Sequence, residues 1–443
     1  MLHNVNTPMG LADSILSAVA GDVIELAPGH YGGITIHGAP HHKVVVGDVA
    51  RYGSAPVLAG RVTIRSADPT DQAAVDFIQV RNNHWWRFEA INVRPGWRDD
   101  RTLAVELGGD DIEFIGCHVS HDNLGDPPPD TWAPQEWVAR AGHGIEVNGK
   151  RALVAYNQID TVATGIQFVG ECQGGVAEWN SIWHIARDAW RIRSDDITFQ
   201  DNYATKWRLG DPNNHDDGLQ SWDEKKRHGG TVKNAIVRRN VFYAPAEPGV
   251  ATALSPMGIT VTHTTAENWL IENNLIALDM ANGVRMVNAV GCMIRSNTVI
   301  DINPAGGAKQ TFIWVVGDAT TVIRDNIVNQ INLGGSEAQA INNALIQTSD
   351  YDAWFEDWED GDFTLADPDG PGAVLQPRNQ DQTPPPAPVK AEPPPVDIPA
   401  AFRLQWVVID DGEGPRAARV WQGLPDLTRE QAQALADKIN GGG

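Results

Sequence analysis

Three consecutive stretches decide the fold: GIEVNGKRALVAYNQI (144–159), GIQFVGECQGGVAEWNSI (165–182) and AWRIRSDDITFQDNY (189–203). Each reads as a short strand, a polar turn, a second strand, then an Asn followed within two residues by an apolar or aromatic side chain. The Asn positions, Asn157, Asn180 and Asn202, are 23 and 22 residues apart. The same phrase returns outward along the chain in GLQSW (218–222) with NAIVRRNVF (234–242), GITVTHTTAENWLIENNLI (258–276), GVRMVNAVGCMIRSNTVI (283–300) and FIWVVGDATTVIRDNIV (312–328), adding Asn240, Asn274, Asn297 and Asn326. A coil of this length cannot bury its apolar face alone, whereas stacked coils bury it together and pair their strands in parallel. The repeating leucines of a leucine-rich horseshoe are absent, and period-2 alternation with Gly, Asn and Thr excludes an α-solenoid. The expected fold is an all-β, right-handed parallel β-helix with a ladder of stacked Asn side chains.

The ends differ from the repeat. Thr7-Pro8 is an N-cap followed by Pro at the first helical position. Leu11, Ile15, Leu16 and Val19 then make one apolar helical face, ending at Gly21. Such a helix would cap the open end of the stack, which otherwise exposes strand edges. Strands follow at DVIEL (22–26) and GITI (33–36), and GDFTLADPDGPGAVL (361–375) reads as the closing coil. Residues 376–400 hold nine prolines and read as a stiff linker. In 401–443, two alternating strands precede a helix that starts at the Thr428/Gln431 capping box, a small ββα module. The expected domains are therefore 1–65, cap and first coils; 66–375, β-helix; 376–400, linker; and 401–443, terminal module.

The chain has 34 Lys+Arg against 57 Asp+Glu, a net charge of −23. That balance argues against nucleic acid and anionic membranes as partners. Cys117, Cys172 and Cys292 lie far apart, giving no disulfide framework and no zinc spacing. No secretory signal is legible at residues 1–15, and no run reaches the length of a membrane span.

AGDVIELAPGHYGG (20–33) resembles the opening coil of pectate-lyase-like β-helix proteins, particularly the branch with alginate lyases and chondroitinase B. The repeats and GDFTLADP resemble the coils and closing coil of that superfamily, so the resemblance covers roughly residues 10–375. It implies the fold, which phage tailspikes and depolymerases share, and a polysaccharide ligand. The superfamily includes lyases, hydrolases, epimerases and inert fibres. In the chondroitinase branch a Lys base and an Arg act around such a coil. Lys225 or Lys226 with Arg238 is the nearest match, but Gln220 stands where carboxylate calcium ligands belong.

Alternation supplies the site. With Ile145, Ile166, Trp190, Leu219, Ile259 and Val284 inward, the residues after them point outward: Glu146, Gln167, Arg191, Gln220, Thr260 and Arg285. The residues preceding each Gly or Ala add His143, Thr164, Asp188, Asp217 and Met257. NNHDDGLQSW (213–222), beside RDAWRIRSDD (187–196), is the densest point. Asp217, Asp188 and His215 are the expected acid–base groups. Neighbouring carboxylates repel, which raises one pKa. Arg191, Gln220, Arg285, Glu146, Gln167, His143 and Trp222 are the expected substrate contacts. Arg191 and Arg285 suit a uronate carboxylate, or else ion pairs within the ladder. Trp85, Trp86, Trp97, Trp132, Trp137, Trp207 and Trp222 are candidates for sugar stacking, with loop packing as the alternative for each.

The expected function is binding and cleavage of a surface or acidic polysaccharide, as hydrolase or lyase, on the model of a phage depolymerase. The alternative is a non-enzymatic virion spike or fibre, homotrimeric or attached to the particle through the C-terminal module. Its location is then the virion, or outside the cell by a non-classical route. No cofactor or metal is expected; the acidic run 350–362 is the one stretch that could take calcium, and its spacing is not that of an EF-hand.

Overall fold

In the computed structural model, residues 1–366 are described except for 40, 42, 53–57, 59, 96–101, 123–126, 212–214, 223–229, 304–310 and 359–361; beyond 366, only the strands 404–410 and 415–421 are. The chain divides into two units, 1–387 and 388–443. The first is a parallel β-helix. Among the described residues its strands form three long sheets, two of thirteen strands and one of fifteen. A coil visits them in turn. Leu153–Ala155 lies in the first sheet, Gln158–Val162 in the second and Thr164–Phe168 in the third. Each strand pairs in parallel with its counterpart one coil on, as in Leu153 with Val176, Gln158 with Ser181 and Ile166 with Trp190.

The Asn ladder runs the length of the repeat. Asn157, Asn180, Asn202, Asn240, Asn274, Asn297 and Asn326 are all buried. The backbone N–H and Nδ2 of Asn157 both donate to Oδ1 of Asn180, at 3.0 and 2.9 Å, and Nδ2 also donates to the Phe114 carbonyl at 3.0 Å. Each later Asn repeats the arrangement, and Asn343 adds a rung beyond the sequence reading. At the other end Cys117 takes the slot: its N–H donates to Asn157, and its Sγ accepts from the Ile91 N–H. The residue before each rung is left-handed, at φ 59° for Tyr156, 57° for Trp179, 56° for Asp201 and 52° for Arg239. Such a turn costs a non-Gly residue roughly 1–2 kcal/mol. The amide hydrogen bonds of the next residue hold it.

In the third sheet two successive side chains face the core. Gly144, Gly165, Ala189, Gly218, Gly258 and Gly283 precede the apolar column, and a Cβ on Gly258 would stand 2.0 Å from the Gly283 carbonyl oxygen. The coils approach too closely there for most side chains, and a small residue fills the slot. Ile145, Ile166, Trp190, Leu219, Ile259 and Val284 are buried as expected.

The cap helix spans Pro8–Ser17, and the Thr7 hydroxyl accepts from Gly10 N–H at 3.1 Å. Leu11 and Ile15 are fully buried, but Val19 is 62 % exposed and outside the helix. The helix stops short of Gly21 because the Asp22 carboxylate accepts the Val19 N–H at 2.9 Å and turns the chain. Residues 362–365 are not a coil: they pair antiparallel with 355–357. Phe355, Phe363 and Leu365 pack with Tyr351, beyond the last described coil strands at 339–345. In the second unit, Leu404–Asp410 and Pro415–Trp421 form an antiparallel hairpin. The expected linker 376–400, the helix after Thr428, Trp97, Lys225 and Lys226 lie outside the described residues.

Candidate functional site

The third sheet brings the expected column into register. Glu146, Gln167, Arg191, Gln220, Thr260 and Arg285 are aligned coil by coil, continuing to Trp314. A second outward row starts the same strands: His143 aligns with Thr164, and Asp217 with Met257. Asp188 precedes Trp190 by the interval at which Asp217 precedes Leu219, so the two carboxylates occupy one position on adjacent coils. Adjacent coils are about 4.8 Å apart.

The pair is enclosed rather than presented to solvent. Asp188 is 1 % exposed and Asp217 0 %. Asp188 Oδ1 accepts the Asp217 backbone N–H at 3.1 Å, and its Oδ2 accepts Arg191 Nε at 2.5 Å. Asp188 is therefore committed to positioning, and Arg191 is ion-paired to it. Asp217 Oδ2 lies 3.2 Å from Nδ1 of His215, whose side chain is 49 % exposed. Asp217 Oδ1 is buried and receives no hydrogen bond of good geometry from the described residues. Burial, opposed by His215, and repulsion from Asp188 together push the Asp217 carboxyl up to about 6. The hydrogen bond to Asp217 in turn raises the His215 imidazole, against its own partial burial. The result is a dyad with a buried carboxyl behind an imidazole that reaches solvent. Of the three expected acid–base groups, only His215 can touch a ligand directly.

Asp188 and Asp216 also act on His215, and the cationic groups gather instead around His143. Burial holds His143 down to about 3, and Arg191, Arg187 and Arg193 add to the effect. Arg191 reaches the dyad through its ion pair with Asp188, on a chain of net charge −23. Trp222 has Arg191 at 5.3 Å and Arg193 at 4.6 Å from its ring centroid, and Arg285 lies 4.4 Å from that of Trp314. These rings are engaged by guanidinium groups. Gln167 donates to Glu146 at 2.7 Å, tying two expected contacts to each other. Gln220 stays partly exposed between Arg191 and Thr260.

The wall beside the site comes from insertions between the second and third sheets. The segment 129–140 carries Trp132 and Trp137, which are buried against Ala163 and Ala186. Trp207 and Trp86 are fully buried as well. These four pack structure, and none is a sugar platform. Arg208, fully buried, donates to Asp130 at 2.5 Å and to Glu247 at 2.6 Å, clamping two insertions together. Arg238 lies on the first sheet, hydrogen-bonded to Gln200 at 2.9 Å. It faces away from the third sheet, so the Lys/Arg arrangement of the chondroitinase branch is not formed through it. Arg187, Arg193 and the buried His121 behind His143 were not expected. Their part depends on which loops fold back, a relation no repeat pattern carries.

No family profile and no curated protein matches the chain. Among solved structures, a PL6-family polysaccharide lyase from Pseudopedobacter saltans is similar, with a TM-score of 0.51 and 12 % identity over 86 % of this chain and 98 % of that one. The A-module of a mannuronan C-5 epimerase from Azotobacter vinelandii follows with 0.46 and 13 %, over 77 % and 96 %. The Dettilon tailspike protein gives 0.40 and 12 %, over 75 % and 64 %. At these identities the likeness is one of fold.

Proposed function

We propose that this protein binds an acidic polysaccharide along the third sheet and cleaves it by acid–base chemistry at His215. The observation that carries the reading is the dyad: an exposed imidazole whose Nδ1 faces a fully buried carboxyl raised to about 6. An imidazole so held transfers protons through its other nitrogen. In this reading His215 is the catalytic residue, and Asp217 and Asp188 are positioning residues. Arg191, Arg193 and Arg187 supply the positive field for a uronate chain, and Gln220, Arg285 and Glu146 line its path.

β-Elimination suits this arrangement better than hydrolysis. A two-carboxylate glycosidase needs two carboxyl groups flanking the bond. Here Asp188 is engaged by Arg191 and the Asp217 amide. In elimination, neutral His215 takes the proton α to the uronate carboxylate. The electron pair forms the new C=C bond, and the glycosidic C–O bond breaks with its oxygen taking a proton. The polysaccharide lyase of the same fold in Pseudopedobacter saltans is consistent with that choice.

The test is activity of the purified chain on uronate-containing and neutral polysaccharides, following reducing ends and the ultraviolet absorbance of unsaturated uronate together. Both signals should rise on an acidic polymer, and His215→Gln should lower the rate by about a hundredfold or more. Reducing ends without the absorbance would replace elimination by hydrolysis. Binding without cleavage across the panel would leave the glycan-binding spike or fibre as the reading.

A further inference from the structure

A second cavity lies on the same sheet at its N-terminal end, far from His215. It holds about 460 Å³ and is lined by His37, Gly38, His41, Lys43, Arg81 and Asn82. Three strands build it. His37 sits opposite Lys43 across an antiparallel hairpin and beside Arg81 across a parallel pair. His41 occupies the hairpin turn, its N–H donating to the Gly38 carbonyl at 3.0 Å. Gly38 is required there, because a Cβ would lie 1.8 Å from the Asn82 carbonyl oxygen. Asn82 in turn donates Nδ2 to the Ala39 carbonyl at 3.2 Å, fixing the turn against the coil.

We propose that this cavity is a distal subsite that binds an anionic substituent, a carboxylate or sulfate ester, of the same glycan chain. Among the described residues, every titratable side chain lining it is basic, on a chain of net charge −23. Arg81 makes a two-pronged pair with Glu106, Nε and Nη2 each at 2.7 Å, which orients the guanidinium and leaves Nη1 for a ligand. Gln79 gives its Nε2 hydrogen to Glu106 at 2.7 Å, so its Oε1 accepts from His37 Nε2 at 3.3 Å. That fixes the His37 ring with Nδ1 as its remaining polar atom. Arg81 and His37 are thus held by Glu106 and Gln79 beside the cavity, and the His37 and His41 ring centroids lie 6.2 Å apart. Glu106 is spent on Arg81 and Gln79.

Position supports the link to the groove. From the Arg81 strand to the Asp217 strand the sheet takes five steps, through the strands at 103–108, 143–147, 164–168 and 190–192. At about 4.8 Å a step the two sites are roughly 24 Å apart. A polymer lying across the sheet reaches both, and a short fragment reaches one. Two sites on one chain raise affinity through effective concentration. The inference rests on the polysaccharide reading for the source of the anion, but not on cleavage.

The experiment is calorimetric titration of the full chain with a long oligouronate, a uronate trimer and inorganic sulfate. Lys43→Gln, and separately His41→Gln in the exposed turn, are compared with wild type. Arg324→Gln on the first sheet controls for net charge. Each cavity variant should weaken the long oligomer by about tenfold or more, the worth of one hydrogen bond to a charged group. The trimer's affinity and that of Arg324→Gln for the long oligomer should not move. Unchanged long-oligomer affinity in both cavity variants would overturn the inference. So would an equal loss for the trimer, or for Arg324→Gln, which would mean general electrostatics. Sulfate binding at the cavity without a long-oligomer advantage would overturn the glycan as its source. Absence of cleavage by wild type, with the cavity effect intact, would count against the lyase alone.

Discussion

Asp217 is the residue at which stability and function pull apart. Its carboxyl titrates near 6 against an ordinary 3.8, so the folded state holds its proton more tightly than the unfolded chain. Folding stability therefore falls as pH rises from about 4 through 6, and above that the buried charge costs about 3 kcal/mol. The raised His215 acts in the same direction: its contribution is present at low pH and lost as pH rises through its folded value. Asp217→Asn should then stabilise the fold at pH 7 by on the order of 2 kcal/mol once the loss of the His215 partnership is allowed for, read as a higher denaturation midpoint. It should have almost no effect on stability at pH 4 and, on the proposed reading, should strip the protein of cleavage activity. The same pair sets the acid limb of activity, since His215 must be neutral to accept a proton. The rate should decline as pH falls through the raised His215 value, and that limb should move to lower pH in the residual activity of Asp217→Asn, which lacks the carboxylate that raises it. A midpoint at pH 7 that drops in the variant would mean Asp217 is a structural ion-pair partner. The two carboxylates were legible as residues on one face. Their burial was not, because it comes from insertions whose path the repeat does not encode.

At the scale of elements, the Asn ladder was legible because its residue recurs at the coil period. Its companion was not. The left-handed position is filled by Tyr156, Trp179, Asp201 and Arg239, residues that share no side-chain property. The backbone is set by the next residue's amide rather than by Gly. Asn240→Ala would remove the acceptor of the Asn202 N–H, one of the acceptors of its Nδ2, and the side-chain donor to the Phe199 carbonyl. The expected cost is about 3 kcal/mol. Hydrogen exchange should accelerate at Asn202 and Asn240 while the Asn297 rung stays protected, since each coil contacts only its neighbours. Uniform loss of protection would mean the coils unfold as one body. The third-sheet strands keep Gly or Ala before the inward residue, and that doublet is why Asp188 and Asp217 share a face with Arg191 and Gln220.

For the first unit taken whole, the repeat and its N-terminal cap were readable, while the closing segment was not. The helix Pro8–Ser17 buries Leu11, Ala12 and Ile15 at the end where the first strands, Leu2–Val5 and Val23–Leu26, pair. GDFTL alternates like a coil strand, but after a helical turn at Tyr351–Trp354 it folds back on Phe355–Asp357 and closes the far end with aromatic rings. Alternation alone does not distinguish a parallel coil from an antiparallel hairpin. Leu11→Asp should undock the cap, since a buried unpaired charge is costly. The freed edge should then recruit other chains. Size-exclusion chromatography should show higher oligomers for the variant, whereas an unchanged profile would mean the cap is dispensable.

The regular step of the third sheet also makes the molecule a ruler. The rungs at Asn180 and Asn202 are 22 residues apart and joined by the Asn180 backbone N–H and Nδ2 donating to the Asn202 Oδ1, an arrangement the next Asn repeats, so one further copy of that segment could be spliced between them with every rung satisfied. The graft would leave both ends of the groove chemically as they are and move them apart by about 4.8 Å. The length of chain that spans cavity and dyad is thus written in the number of coils between them. Changing that number would retune which polymer lengths the protein prefers without altering a single residue that touches them.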